Sequence, residues 1–132
     1  MVLFLDIDGV LHPFPLAIDD EQFSAIDRLW VLLERLPTVH VVITSTWRER
    51  HSFDELVQML TKHGGVKFKE RFVGITPVLE PPNEYVPGIR QREIEAWLHA
   101  NDPGWACRPG ERHTKRISAC RGRQYDAAYQ PG

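Results

Sequence analysis

The sequence predicts an α/β domain of three layers, with a mostly parallel sheet between helices. Three observations predict it. Short β-branched runs alternate with stretches apolar at helical spacing, in the order strand, helix, strand, helix, strand, helix. The first strand is apolar on both faces, as a strand covered on two sides must be. The polar residues with chemistry in them fall at the carboxyl ends of strands, where open α/β sheets bind ligands.

Each element has a local cause. Val2–Ile7 is a short apolar run and reads as a buried strand, expected in the middle of the sheet. Residues 9–18, GVLHPFPLAI, hold two prolines and read as a loop. Asp19 and Gln22 have the spacing of a capping box, so the first helix is expected to start there. Phe23, Ile26, Leu29, Trp30, Leu33 and Leu36 give its apolar stripe, and Pro37 stops it. VHVVIT, residues 39–44, is a β-branched second strand. Ser52 and Glu55 form another capping box, opening a helix that carries Phe53, Leu56, Val57 and Leu60 and ends at Gly64-Gly65. RFVGIT, residues 71–76, is a weaker third strand. A loop with Pro77, Pro81, Pro82 and Pro87 leads to a third helix, from Ile89 to about Ala100.

The chain has 132 residues, 42% hydrophobic and 26% charged, which bounds it to one domain with an ordinary globular core. No apolar run approaches a membrane span, and no basic-then-apolar leader precedes the first strand. Two cysteines make no disulfide framework, so the expected location is cytoplasmic and no membrane contact is expected. Charge is uneven: residues 1–107 carry 10 Lys/Arg against 16 Asp/Glu, whereas residues 108–132 carry 6 against 2. A basic tail reads either as a solvated end or as a nucleic-acid contact.

The chemistry gathers in two stretches. Asp6 and Asp8 end the first strand, with Gly9 allowing a sharp exit. Two carboxylates this close repel each other unless a cation or a reaction involves them. One can attack phosphorus as a nucleophile while the other transfers the proton. Mg²⁺, held by oxygens, would neutralise the pair. Thr44, Ser45 and Thr46 end the second strand; their hydroxyls either bind a phosphoryl oxygen or cap the turn that follows. Arg48 and Arg90 are candidate phosphoryl-binding cations.

These residues resemble the haloacid dehalogenase-like (HAD) superfamily over about residues 1–105. FLDIDGVL resembles its first motif, VVITSTWR its second in the form seen in compact members, and GIRQREIEAWL its third. The resemblance implies a Rossmann-like (HAD-like) hydrolase domain, with residues 106–132 as an atypical basic tail. It implies Asp6 as nucleophile and Mg²⁺ ligand, and Asp8 as general acid/base with its carbonyl on the metal. Ser45, or Thr44 if the strand ends earlier, would bind the phosphoryl group; Arg90, or failing that Arg92, is the basic residue of the third motif. Gly9, Thr46, Trp47 and Arg48 are expected beside the substrate. The gaps at residues 9–19 and 77–88 are too short for a cap domain. An uncovered site suits a bulky phosphorylated substrate, a nucleic-acid end or a phosphoprotein.

The pattern breaks after Trp105. The family's fourth motif, an acidic pair after an apolar strand, has no counterpart: from Arg108 onward Ile117 is the only Ile, Leu or Val. The tail reads as a divergent segment or as a change of reading frame near Ala106. Cys107, His113 and Cys120 match no standard zinc spacing. The leading expectation is a Mg²⁺-dependent phosphatase of reduced activity acting through an aspartyl-phosphate. The alternative is an inactive domain that binds phosphorylated partners. A homodimer through the tail is expected if the tail leaves a sheet edge open.

Overall fold

The computed structural model describes residues 1–79 and 86–101. In these, strands β1 (Val2–Leu5), β2 (His40–Ile43) and β3 (Phe72–Ile75) form a parallel sheet in the order β1-β2-β3. Helices α1 (Ile26–Arg35), α2 (Phe53–Thr61) and α3 (Ile89–Asn101) intervene or follow in chain order. This is the expected α/β alternation.

The sheet is covered on both faces, and strand periodicity decides what goes where. Leu5, Val41, Ile43 and Phe72 join one core with Ile26, Leu29, Trp30 and Leu33 of α1 and Leu56, Val57 and Leu60 of α2. Val2, Phe4, Val42 and Val73 pack on the other face with Trp97 of α3. The Phe4 and Trp97 rings meet edge to face, centroids 5.6 Å apart. Gly74 lets Trp97 approach, since a Cβ there would stand 3.2 Å from the indole nitrogen.

Among the described residues β2 is flanked by β1 and β3, and β1 pairs with β2 alone, with Val2, Leu3 and Phe4 half-buried; the expected middle place of β1 turns on residues outside these. One expectation needs correction. The first helix begins at Ile26, and its N-cap, Ala25, makes no side-chain cap bond. Phe23 interrupts the expected start, with φ +62°. A left-handed residue cannot continue a helix, and here it buries its ring. Asp20 accepts the N–H of Ala17 at 2.8 Å, so the segment before Ile26 folds as turns.

The second capping box is present: Ser52 Oγ accepts the N–H of Glu55, and Glu55 Oε2 accepts the N–H of Ser52 at 2.7 Å. Between β1 and α1 the chain makes turns that bury Leu11 and Phe23 in the core, which is no cap domain. The fourth-motif region, the zinc reading and the tail-mediated dimer lie outside the described residues, as does the boundary at residue 105. Among the described residues, no helix is long and apolar enough to cross a membrane.

Candidate active site

Parallel pairing brings the strand ends side by side. Thr44 donates its N–H to Leu5 O at 2.8 Å, and Thr76 donates its own to Ile43 O at 3.0 Å. Asp6, Thr44 and Thr76 therefore follow the last ladder bonds of β1, β2 and β3. The hydroxyl of Thr76 lies 3.3 Å from that of Thr44. The chain leaves β1 through a turn in which Val10 and Leu11 both donate to Ile7 O, at 3.1 and 2.8 Å. Gly9 has φ +76°, a conformation that glycine adopts without strain.

The two aspartates have different surroundings. Asp6 Oδ1 accepts the N–H of Ile7 at 2.8 Å, and no other hydrogen bond reaches its carboxylate among the described residues. Asp8 Oδ1 accepts two donors, Trp47 Nε1 at 3.0 Å and His12 Nε2 at 2.9 Å. Asp8 keeps 25% of its side chain exposed. It lines an open cavity of about 500 Å³ with Phe14 and Leu16 from the loop after β1, and with Thr46, Trp47, Glu49, Arg50 and His51 from the segment after β2.

The three hydroxyls after β2 part company. Thr44 and Ser45 are buried, and Ser45 Oγ accepts the N–H of Trp47 at 3.4 Å as the cap of the short turn Thr46–Glu49. The capping alternative is thus realised, and the Ser45 O–H hydrogen remains available as a donor. Thr46 is exposed and reaches the cavity.

Arg48 is not at the surface of the site. Nε donates to Thr76 O at 3.0 Å, Nη1 to Thr44 O and Ser45 O at 3.0 and 2.8 Å, and Nη2 to Pro77 O at 3.3 Å. Nη2 also stands 2.5 Å from buried Glu93 Oε2. The five donors of a guanidinium are thereby committed inside the chain, which corrects the expectation that Arg48 contacts substrate. Burial pushes its pKa below the usual arginine value, and the Glu93 carboxylate works in the opposite direction. Arg90, 35% exposed in its side chain, lies 3.5 Å from Glu93 Oε2; among the described residues that carboxylate is its ion-pair partner. Arg92 lies exposed on α3.

Sequence reasoning missed His12, Thr76 and Glu93. Thr76 had a signal, since GIT repeats the apolar-then-threonine ending of VIT. Glu93 stands four residues from both Ile89 and Trp97, on the face that α3 buries.

The arrangement offers one open carboxylate, one oriented carboxylate and an adjoining cavity, the means for attack on phosphorus and proton transfer. Residues 2–108 match the family model described as the HAD domain in Swiss Army Knife RNA repair proteins. Searches of the curated proteins and of the solved structures give no match. The match ends where the composition turns basic, and it spans both strand-end motifs and α3. The chain belongs to this family of HAD domains, within the HAD-type hydrolases and phosphatases.

Proposed function

We propose that the protein is a Mg²⁺-dependent phosphomonoesterase acting on phosphorylated nucleic-acid ends. The observation that carries the reading is the placement of Asp6 and Asp8 at the end of β1, with Asp8 opening onto the aromatic-lined cavity. Asp6 attacks phosphorus and the P–O bond to the leaving group breaks, forming an aspartyl-phosphate. Asp8 gives its proton to the leaving oxygen, then takes one from the water that releases inorganic phosphate. The O–H of Ser45, whose oxygen accepts the N–H of Trp47, is the candidate donor to a phosphoryl oxygen from the end of β2.

The donor set fits Mg²⁺ sparsely. Among the described residues no group of three His, Cys, Asp or Glu side chains could hold a metal. Mg²⁺ is bound in many sites by one or two carboxylates, substrate phosphate and waters. As the family resemblance implies, the carboxylate of Asp6 and the carbonyl of Asp8 would hold it, while Asp8 Oδ1 accepts two N–H donors. When bound, it would offset negative charge at the phosphoryl group. With so few protein ligands, weak affinity and modest turnover are expected.

The cavity favours a nucleotide over a phosphopeptide. Phe14, 70% exposed, and the Trp47 ring offer flat apolar surface of the kind on which bases stack. Arg50 and His51 lie on the same cavity and suit a neighbouring phosphodiester. The family's name, RNA repair, and the basic composition of residues 108–132 point the same way. The test is phosphate release from oligoribonucleotides phosphorylated at the 5′ or 3′ end, with a phosphoserine peptide as comparison. Mg²⁺-dependent release from an oligonucleotide, lost in Asp6→Asn, is expected. Binding of the oligonucleotide without release at any Mg²⁺ concentration would favour the phosphate-binding alternative, and faster turnover of the peptide would overturn the choice of substrate.

A further inference from the structure

We infer that His12 is a positioning residue for Asp8, locked as its Nε2–H tautomer and acting with Trp47 to leave Asp8 Oδ2 as the oxygen that carries the catalytic proton. Its backbone neighbours settle the tautomer. The N–H of Phe23 points at His12 Nδ1, 3.3 Å away. An amide N–H can only donate, so Nδ1 must present its lone pair and Nε2 must carry the hydrogen. That hydrogen then goes to Asp8 Oδ1 at 2.9 Å, beside the indole N–H of Trp47 at 3.0 Å. An oxygen facing two N–H groups has no room for a proton, and Oδ2 is what remains.

The surroundings fix this arrangement. The His12 side chain is wholly buried. The rings of His12, Phe23 and Trp47 pack mutually, with centroids 5.5–5.8 Å apart. Phe23 reaches His12 with φ +62°, a conformation that costs a bulky residue strain. The backbone of His12 is tied to the catalytic turn as well, its carbonyl accepting the N–H of Gly9 at 2.9 Å. A histidine serving only to fill the core would need none of the bond to Asp8.

The kinetic consequence rests on the phosphatase reading; the tautomer does not. His12→Phe keeps a ring between Phe23 and Trp47 but removes the donor, and is expected to lower kcat about 10–100-fold with KM little changed. His12→Gln can place an amide N–H near the position of Nε2 and is expected to recover most of the loss. Equal loss in both variants, or wild-type kcat in His12→Phe, would overturn the proposal. A fall confined to KM would overturn it too. Long-range ¹H–¹⁵N correlation on the wild-type protein reads the tautomer without turnover. A protonated Nε2, bare Nδ1 and a shift of the Nε2–H signal in Asp8→Ala are expected. A protonated Nδ1 would refute the inference even if the phosphatase reading stood, and an inactive wild type with the expected spectrum would refute only that reading.

Discussion

Asp6 and Asp8 are two residues apart on one turn, yet their carboxylates are held differently. Asp6 takes one backbone N–H and keeps its second oxygen clear of hydrogen bonds among the described residues, as a nucleophile must. Asp8 is pinned on one oxygen by His12 and Trp47. Asp6→Asn is therefore expected to remove essentially all phosphate release, because an amide is a poor nucleophile and loses the charge that would attract a cation; wild-type rates would reject the mechanism. Asp8→Asn is expected to cost about 10²–10⁴-fold in kcat through lost proton transfer. The aspartates, the strand-end hydroxyls and Trp47 were legible because a short motif places them beside a strand end whatever the rest does. His12 was not, since its partners are a turn residue, a displaced backbone N–H and an indole on another segment. Arg48 was misread for a related reason: a guanidinium in a site motif looks the same in sequence whether it faces phosphate or four carbonyls.

At the scale of elements, the turns decide more than the periodicity does. Both capping-box spacings occur in the sequence, but only Ser52–Glu55 forms, because the backbone at Phe23 departs from helix before Asp19 could cap one. The bonds to Ser52 hold the Glu55 carboxyl below the usual glutamate range. A folded-state value below the unfolded one gives stability that is present above the ordinary glutamate pKa and lost as pH falls through the lowered value. Acid unfolding followed by circular dichroism should show this loss in the wild type, and Ser52→Ala should diminish it; identical acid profiles would argue against the box. Gly65 illustrates a close approach that no pattern reveals. A Cβ there would overlap the indole of Trp30, which stacks on Phe68 and donates Nε1–H to His63 O at 2.7 Å. Gly65→Ala is expected to destabilise by about 1–3 kcal/mol through overpacking. A urea midpoint equal to that of the wild type would show that the ring moves aside freely.

Across the whole molecule, the parallel sheet and the helical cover on both of its faces follow from alternating elements, and both were readable along the chain; the order of the strands was not. What joins the layers at the strand-end edge was not readable, because it is one buried side chain. Arg48 gathers the carbonyls of Thr44 and Ser45 after β2, those of Thr76 and Pro77 after β3, and Glu93 of α3 on the far face of the sheet. Removing either partner of a buried pair leaves the other uncompensated, typically at a cost of about 3–5 kcal/mol. The two residues are not equivalent, however. Glu93→Leu strands one charge that still has four carbonyls around it. Arg48→Met leaves the Glu93 carboxylate, among the described residues, with only Arg90 at 3.5 Å and the N–H of Leu79 at 3.4 Å. It also takes the guanidinium donor from the carbonyls of Thr44, Thr76 and Pro77, whereas Ser45 O keeps the N–H of residue 48 at 3.2 Å; each unsatisfied buried group adds about 1–3 kcal/mol. Arg48→Met should thus be the more damaging single change. Adding Glu93→Leu to it should cost little or even restore stability, because the buried carboxylate that lost its nearer cation goes with it, so the double variant should be more stable than the sum of the singles predicts. Arg48→Lys should rescue poorly, since a single ammonium cannot span the planar fork. Urea denaturation of the four proteins measures the cycle. Additive losses, or a Glu93→Leu variant less stable than Arg48→Met, would mean that the arginine does not tie the strand ends to α3.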